Sequence, residues 1–187
     1  MPPAVQPTLG VDAHTFEPAL RPCGGHRCDD ARVEHPNIYD AEFEYDPEDP
    51  PGYRGGVVHL SRAAGGEEVV MKLFELPPGQ MLCPYHYEYV EEWLVVLDGD
   101  LELRAPSGTS TVKKGEVLRF PAGPDGAHKL TNRTEATARF IMFSSSREPA
   151  VAVYPDSDKI GVWAGEDTLM LRRIDGQVPY YDGEPGT

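Results

Sequence analysis

Cysteine is scarce in this chain of 187 residues, which has three, and basic residues are few. Lysine and arginine total 17 against 31 aspartates and glutamates, which gives a formal net charge of −14. An odd cysteine count outside a secretory context argues against a disulfide framework. Nucleic acid and anionic membranes both require a basic surface, so we expect neither as a partner.

Long apolar stretches are also missing. No run of residues approaches the roughly 18 apolar positions that a membrane-spanning helix needs. The first residues, "MPPAVQPTLGVDAHTF", lack the basic start and apolar stretch of a secretory signal. We therefore expect a cytoplasmic protein. The length predicts one domain with an additional arm.

One short motif raises the question of a zinc site. In and after "CGGHRC", the residues Cys23, His26, Cys28 and His35 have side chains that could in principle supply four ligands. However, the spacing of four residues between the cysteines matches no common zinc knuckle, and there is only one cysteine pair. The pattern favours a polar loop.

The chain divides into three parts by composition. Residues 1–55 are rich in Pro, Gly and Asp, carry a net charge of −7 and predict an extended N-terminal arm. Residues 56–154 carry only −3 and contain short segments rich in β-branched and aromatic residues, separated by turn residues. Such spacing predicts an all-β sandwich or barrel. Residues 155–187 carry −4 and are expected to pack on that barrel. Asp98-Gly99, in "LDGDLELR", predicts a tight hairpin turn.

The stretch "PYHYEYVEEWLVVLDGD", residues 84–100, contains candidate metal ligands. Strand alternation places His86 and Glu88 on one face, and Glu92 follows after a short bend. His128 begins a later strand, after the loop "PAGPDGA". Two imidazoles and two carboxylates can bind a divalent metal and leave positions open for water or substrate. The alternative is a metal-free barrel in which these four side chains hydrogen-bond one another.

Two spaced motifs in this region resemble those of the cupin superfamily. The first reads Gly79, six residues, His86-x-Glu88, three residues, Glu92, six residues and Gly99. The second reads Gly115, five residues, Pro121-x-Gly123, four residues, His128, three residues and Asn132. The resemblance implies a double-stranded β-helix, the cupin jelly-roll barrel, with a metal held by residues of both motifs. In each motif one loop is slightly longer than in the family pattern, and loops tolerate such insertions.

Glu88 is the chemical departure, because the family usually has a second histidine there. The segments "HYEYVEEWLVVLDG", "FPAGPDGAHKLTN" and "REPAVAVYPDSDKIGVW" are similar to a narrower group of single-domain bacterial cupins, described as sugar-phosphate-isomerase-like. In that group the His-x-Glu form looks recurrent. The resemblance implies a divalent ion (Fe, Mn, Zn or Ni) on His86, Glu88, Glu92 and His128, and a homodimer. A second carboxylate shifts the preference of such a site away from copper.

Three classes of function remain open at this point. The first is a metal-dependent enzyme (isomerase, lyase or dioxygenase) that acts on a small polar metabolite, with no catalytic residue identified. The second is a ligand-binding or sensory cupin without turnover, and the third, least favoured, is a structural or storage protein. Titratable groups near the open metal position would favour an enzyme, whereas an apolar cavity would favour a receptor. Lys72, Arg119 and Arg139 could orient an acidic substrate group if they point inward.

Overall fold

The computed structural model describes residues 35–172, which fold almost entirely into antiparallel strands. A single turn of helix, α1 (Leu60–Ala63), and 3-10 turns at Pro124–Gly126 and Pro155–Ser157 interrupt them. The strands in chain order are β1 (Glu44–Tyr45), β2 (Gly56–His59), β3 (Val69–Leu76), β4 (Tyr87–Glu88), β5 (Glu92–Asp98), β6 (Leu101–Ala105), β7 (Gly108–Val112), β8 (Val117–Phe120), β9 (Lys129–Thr131), β10 (Ala138–Ser145), β11 (Ala150–Tyr154), β12 (Lys159–Ala164) and β13 (Asp167–Arg172).

Six strands form one wall of the barrel in the order β1-β2-β3-β10-β5-β8. The long strands β3 and β10 pair over eight residues, from Ala138 opposite Leu76 to Ser145 opposite Val69. Strand β5 then pairs with the other edge of β10, which places Glu92 opposite Ser144. Because directly opposed residues of antiparallel strands project to the same face, this register fixes which side chains share the interior.

The second wall combines two smaller sheets. One has the order β7-β6-β9 and the other β13-β12-β11-β4. Two isolated antiparallel bridges, Met81 opposite Thr131 and His86 opposite His128, connect β9 with the segment that leads into β4. The two histidines of the predicted metal site therefore lie where the two sheets meet.

The core fills the space between the walls. Alternate residues of β5 (Leu94 and Val96) and of β10 (Phe140 and Met142) are buried, which is the period-two pattern of strands with one face inward. The Phe74 and Phe140 rings stack with centroids 5.5 Å apart. Burial of each such side chain stabilises the fold by about 1.5–3 kcal/mol. The core cluster also includes residues of β6, β7, β8 and β9, so both walls contribute to it.

The prediction of a hairpin at Asp98-Gly99 is wrong. Strand β5 pairs with β10 and β8, whereas β6 pairs with β7 and β9, so the two strands around Gly99 belong to different sheets. The turn is instead a corner at which the chain crosses from one wall to the other. An Asp-Gly pair favours a sharp turn, but local sequence does not determine which strands pair after it. The tight hairpin lies between β6 and β7, with Ala105 opposite Gly108.

The predicted all-β jelly roll is confirmed. Most of the predicted N-terminal arm, including Cys23, His26 and Cys28, lies outside the described residues. Within the described part of the arm, β1 pairs with β2 and is an edge strand of the six-stranded wall. The division at residues 55/56 and 154/155 stays a prediction. Between residues 35 and 172 no helix is long and apolar enough to cross a membrane.

Candidate metal centre

His128 follows the 3-10 turn Pro124–Gly126 and lies at the entrance to β9, fully buried. Its Nδ1 lies 2.9 Å from the Gly126 carbonyl oxygen, to which an Nδ1–H donates. The Phe120 ring stacks on the imidazole with centroids 3.8 Å apart, so the ring plane is fixed from one side. This arrangement leaves Nε2 as the bare nitrogen. Within residues 35–172 it is the buried side-chain polar atom that has no hydrogen-bond partner.

His86 is positioned in the same way. Its Nδ1 lies 3.0 Å from the Pro84 carbonyl oxygen and 3.4 Å from Cys83 Sγ, so Nδ1–H is the donor and Nε2 carries the lone pair of the neutral ring. The backbone bridge to His128 brings the two rings to a centroid separation of 4.8 Å. Burial lowers the pKa of both imidazoles, that of His128 to about 3. Both histidines are therefore neutral near pH 7, the form that binds metal ions.

Glu92 brings a carboxylate to the same point from the opposite wall. It is the first residue of β5 and shares the inward face with Leu94 and Val96. Its Oε2 lies 3.8 Å from His128 Nε2. Burial, followed by the charge of Glu88, raises the pKa of Glu92 to about 8, and the positive charge of Lys72 opposes this shift. A carboxylate in such surroundings requires a cation beside it to remain ionised at neutral pH.

Three of the four predicted ligands come together. One ligand atom from each of His86, Glu92 and His128 lies within 4.8 Å of the other two. Two neutral imidazole nitrogens and a carboxylate oxygen form a donor set that suits divalent iron, manganese, zinc or nickel. The unpartnered Nε2 of His128 points into this group, and a metal ion would satisfy it. The residues present therefore fit a divalent metal ion, and other ligand positions remain available for substrate.

Glu88, the fourth predicted ligand, is not part of that close group. It lies on β4, two residues after His86, and lines the same cavity. Its backbone carbonyl accepts a hydrogen bond of 2.7 Å from the Gly123 N–H, which ties β4 to the loop before His128. Burial raises the pKa of its carboxyl group, and Lys72 opposes this shift. The ligand role of Glu88 stays a prediction.

The cavity above this group has a volume of about 920 Å³. Besides the four predicted ligands, its titratable lining residues include Lys72, Cys83 and Tyr154. Burial raises the pKa of the Cys83 thiol and of the Tyr154 phenol, so both are neutral near pH 7. The Tyr154 ring packs on the ring of His86 with centroids 5.8 Å apart. Titratable side chains thus surround the site on several sides.

Among the three basic residues considered from the sequence, Lys72 is the one that lines the cavity. Arg119 forms a 2.7 Å ion pair with Glu91, and Arg139 forms a 2.9 Å ion pair with Glu75. Neither arginine is among the cavity-lining residues. Two further cavity-lining residues, His59 and Tyr154, are not among the site residues predicted from the sequence. The alternation of His59 with Val57, which packs on the core, was the available signal for an inward His59.

Part of the chain is similar to a known protein family. Residues 72–144 match the family model of the cupin domain. The range runs from within β3 to within β10 and includes all four candidate ligands. No curated protein sequence matches the chain.

Several solved structures share the fold. A protein assigned as a sugar phosphate isomerase from Acidithiobacillus ferrooxidans is similar over 76% of this chain and 92% of its own, with 21% identity and a TM-score of 0.68. A cupin-superfamily sugar phosphate isomerase from Silicibacter pomeroyi is similar over 81% and 95%, with 24% identity and a TM-score of 0.66. The polyketide cyclase RemF from Streptomyces resistomycificus is similar over 63% and 82%, with 24% identity and a TM-score of 0.53. At these identities the similarity shows the fold alone.

Proposed function

We propose that the protein, whose residues 72–144 match the family model of the cupin domain, binds a divalent metal ion through His86, Glu92 and His128 and acts as an enzyme on a small polar metabolite. The reaction class that the surroundings of the site favour is isomerisation by proton transfer between neighbouring carbon atoms.

The observation that carries the proposal is the bare Nε2 of His128. A buried nitrogen without a partner costs about 1–3 kcal/mol, so native structures rarely leave one unsatisfied. In this structure the opposite ring nitrogen already donates to Gly126, and the lone pair of Nε2 faces the carboxylate of Glu92 at 3.8 Å. A hydrogen bond at that distance is too long to satisfy either group. A cation between them satisfies both.

The chain's own residues have separate tasks in such a centre. Pro84 and Gly126 hold the two imidazoles in the tautomer that presents Nε2. A bound divalent ion would polarise a carbonyl or hydroxyl oxygen of the substrate. The stacked ring of Phe120 and the apolar core behind it exclude water from one side of the site.

Glu88 has two possible roles in this proposal. It is a fourth ligand if its carboxylate turns toward the other three, as the sequence predicts. Its position outside the close group favours a second role, in which the carboxyl group takes a proton from one substrate carbon and returns it to the next. The Glu88→Gln variant distinguishes the two roles. Loss of a ligand lowers metal affinity, whereas loss of a proton-transfer group leaves metal affinity unchanged.

The surroundings favour an enzyme over a receptor. Three titratable side chains, those of Glu88, Lys72 and Tyr154, line the cavity beside the proposed metal ligands, and groups of this kind near a metal favour catalysis. Two of the similar structures carry the name sugar phosphate isomerase. Isomerisation of a sugar can proceed by transfer of a proton between adjacent carbon atoms. These names supply the first substrates to test. The second candidate, a non-catalytic ligand-binding or sensory cupin, predicts ligand binding without turnover.

Proton exchange in heavy water tests the proposal without knowledge of the natural product. Metal-loaded protein is incubated in D₂O with a panel of aldose and ketose phosphates, and loss of carbon-bound proton signals is followed by NMR. We expect metal-dependent exchange at C1 or C2 of at least one compound, abolished in the His128→Gln variant. Binding of panel members to the metal-loaded protein without any exchange would contradict the enzymatic proposal and favour the receptor.

A further inference from the structure

The interior face of the six-stranded wall changes from apolar to polar along its strands. One cross-strand row contains Val57, Phe74, Phe140 and Val96, all in or against the core. The next row contains His59, Lys72, Met142 and Leu94. The row after that contains Val70, Ser144 and Glu92. The polar side chains of this face are therefore collected at the end that opens into the cavity.

Lys72 is half-buried, and its side chain lines the cavity. It is two residues before Phe74, so strand alternation places both side chains on the inward face. Its direct neighbours in the sheet are His59 on β2 and Met142 on β10, and all three residues line the cavity. Burial lowers the pKa of the Lys72 amine to about 8, and the charges of Glu88 and Glu92 oppose this shift.

Lys72 and the metal ligands occupy different parts of the cavity. Lys72 is two strands away from Glu92 and is offset by two residues along β10. With strands about 4.8 Å apart and residues about 3.4 Å apart along a strand, the two Cα atoms are separated by about 10 Å across the sheet and about 7 Å along it. A small molecule can therefore contact both the amine and the metal ligands.

The balance of charge gives the Lys72 end a preference for anions. Glu88 and Glu92 together contribute two negative charges to the inner cavity, which a divalent ion would neutralise. The charge of Lys72 then remains as a net positive charge in surroundings of low dielectric constant. At the exposed mouth of the cavity, the charges of Arg62 and Arg147 are balanced by those of Glu67 and Glu148.

We propose that Lys72, with His59 beside it, forms an anion-binding pole that holds the carboxylate or phosphate group of a small metabolite whose reacting end faces His86, Glu92 and His128. This inference rests on the proposed metal-dependent function and gives its substrate class. A carboxylate and a phosphate share the required chemistry, since both accept charge-assisted hydrogen bonds from an ammonium group. The competing explanation is that Lys72 only neutralises the carboxylates of the metal site.

Three matched compounds separate these explanations. Dihydroxyacetone is neutral, whereas hydroxypyruvate and dihydroxyacetone phosphate have the same hydroxyketone group with a carboxylate or a phosphate attached. Dissociation constants are measured by calorimetry on the full-length, metal-loaded protein, and metal content is measured on the same samples. The variants are Lys72→Met, Lys72→Arg and the control Lys113→Met, which removes an exposed lysine far from the cavity lining.

We expect the wild type to bind at least one anionic compound about 10- to 100-fold more tightly than dihydroxyacetone, a range typical of hydrogen bonds to charged groups. Lys72→Met is expected to lose this preference with unchanged metal content, whereas Lys72→Arg and Lys113→Met keep it. The compound that shows the preference identifies the anionic group. Circular dichroism confirms that each variant is folded, and Lys72→Gln, which also removes the charge, replaces Lys72→Met if that variant is unfolded.

Three results would overturn the anion pole alone. The first is a metal-loaded wild type that binds none of the anionic compounds more tightly than dihydroxyacetone. The second is a folded, metal-loaded Lys72→Met variant that keeps the wild-type preference. The third is a Lys72→Met or, if that is unfolded, a Lys72→Gln variant that loses metal, since Lys72 then acts on the metal site. A wild type that binds no metal ion would instead overturn the proposed function and, with it, this inference.

Discussion

His86 and His128 hold each other in place through their backbones. The His86 N–H donates to the His128 carbonyl oxygen at 3.2 Å, and the His128 N–H donates to the His86 carbonyl oxygen at 2.8 Å. This reciprocal pair joins the two smaller sheets and sets the two imidazoles side by side. The backbones that carry the two histidines of the proposed metal site are therefore positioned by the pairing of the strands.

The role of Glu88 is tested by the Glu88→Gln substitution, which keeps the shape of the side chain and removes its charge. If Glu88 carries the proton, the variant is expected to bind metal with wild-type affinity and to lose about 100- to 10,000-fold in turnover, the range for general acid–base groups. If Glu88 is a ligand, metal affinity falls instead. Metal titration and the exchange assay on the same preparation distinguish the two results. Glu91→Gln, on the exposed side of the same segment, is the control.

Wild-type metal affinity together with wild-type turnover in Glu88→Gln would contradict both roles. Glu88 would then be a lining residue whose charge is balanced by Lys72 alone. That result would leave His86, Glu92 and His128 as the complete set of protein ligands.

Gly99 and Gly79 form a matched pair for testing the corner between the walls. Both have a left-handed backbone, with φ of 75° and 77°. A Cβ at Gly99 would lie 2.9 Å from the Cα of Ala138, whereas one at Gly79 would have no atom within 4 Å. Gly79→Ala is expected to cost about 1–2 kcal/mol, the strain of that backbone region. Gly99→Ala is expected to cost about 1–3 kcal/mol more, because of the added steric clash.

Chemical denaturation of the two variants measures this difference directly. Equal losses of unfolding free energy would show that the corner can shift to accept a methyl group. In that case the close approach of Gly99 to β10 would not be needed for the chain to cross between the walls.

The homodimer expected from the family resemblance stays a prediction, and the structure indicates a surface for it. Strand β13 is at the end of its sheet, and Leu169 and Leu171 are 53% and 56% exposed. Pairing with the same strand of a second copy would cover this edge. We expect a solution mass of twice 20.6 kDa by light scattering and dissociation on Leu169→Glu. Val117→Glu, on β8 at the end of the other wall, is the control. A monomeric wild type would contradict the prediction.

Much of the fold and part of the site could be predicted from the sequence. Alternation along β5 and β10 predicted strands, and the spacing from Gly79 to Asn132 indicated the family model that residues 72–144 match. Asn132 shows why such positions recur in the motif. Its buried amide donates to the carbonyl oxygens of Leu76 and Ala136, both at 2.7 Å, and its Oδ1 accepts from Thr134. It therefore connects strands rather than binding a ligand.

Other features depend on contacts that are distant in sequence. The assignment of β5 and β6 to different sheets follows from pairings with β10 and β9, which the local Asp-Gly signal does not encode. The inward position of Lys72 was within reach of the alternation with Phe74 and Leu76, but a lysine in a strand is usually solvated. That His86, Glu92 and His128 converge more closely than Glu88 is a matter of side-chain geometry, which spacing alone does not determine.

The central claim is that His86, Glu92 and His128 bind one divalent ion, and elemental analysis tests it most directly. The purified protein is stripped of metal, reconstituted separately with Fe²⁺, Mn²⁺, Zn²⁺ and Ni²⁺, freed of excess ion and analysed beside His128→Gln and the exposed control His35→Gln. We predict one ion per chain in the wild type and in His35→Gln. For His128→Gln we predict a metal affinity at least about 100-fold lower. Even the mutation of residues that only hydrogen-bond to a metal ligand lowers metal affinity about 10- to 100-fold. A wild type without a stoichiometric ion in all four reconstitutions, or a His128→Gln variant with unchanged affinity, would contradict the account.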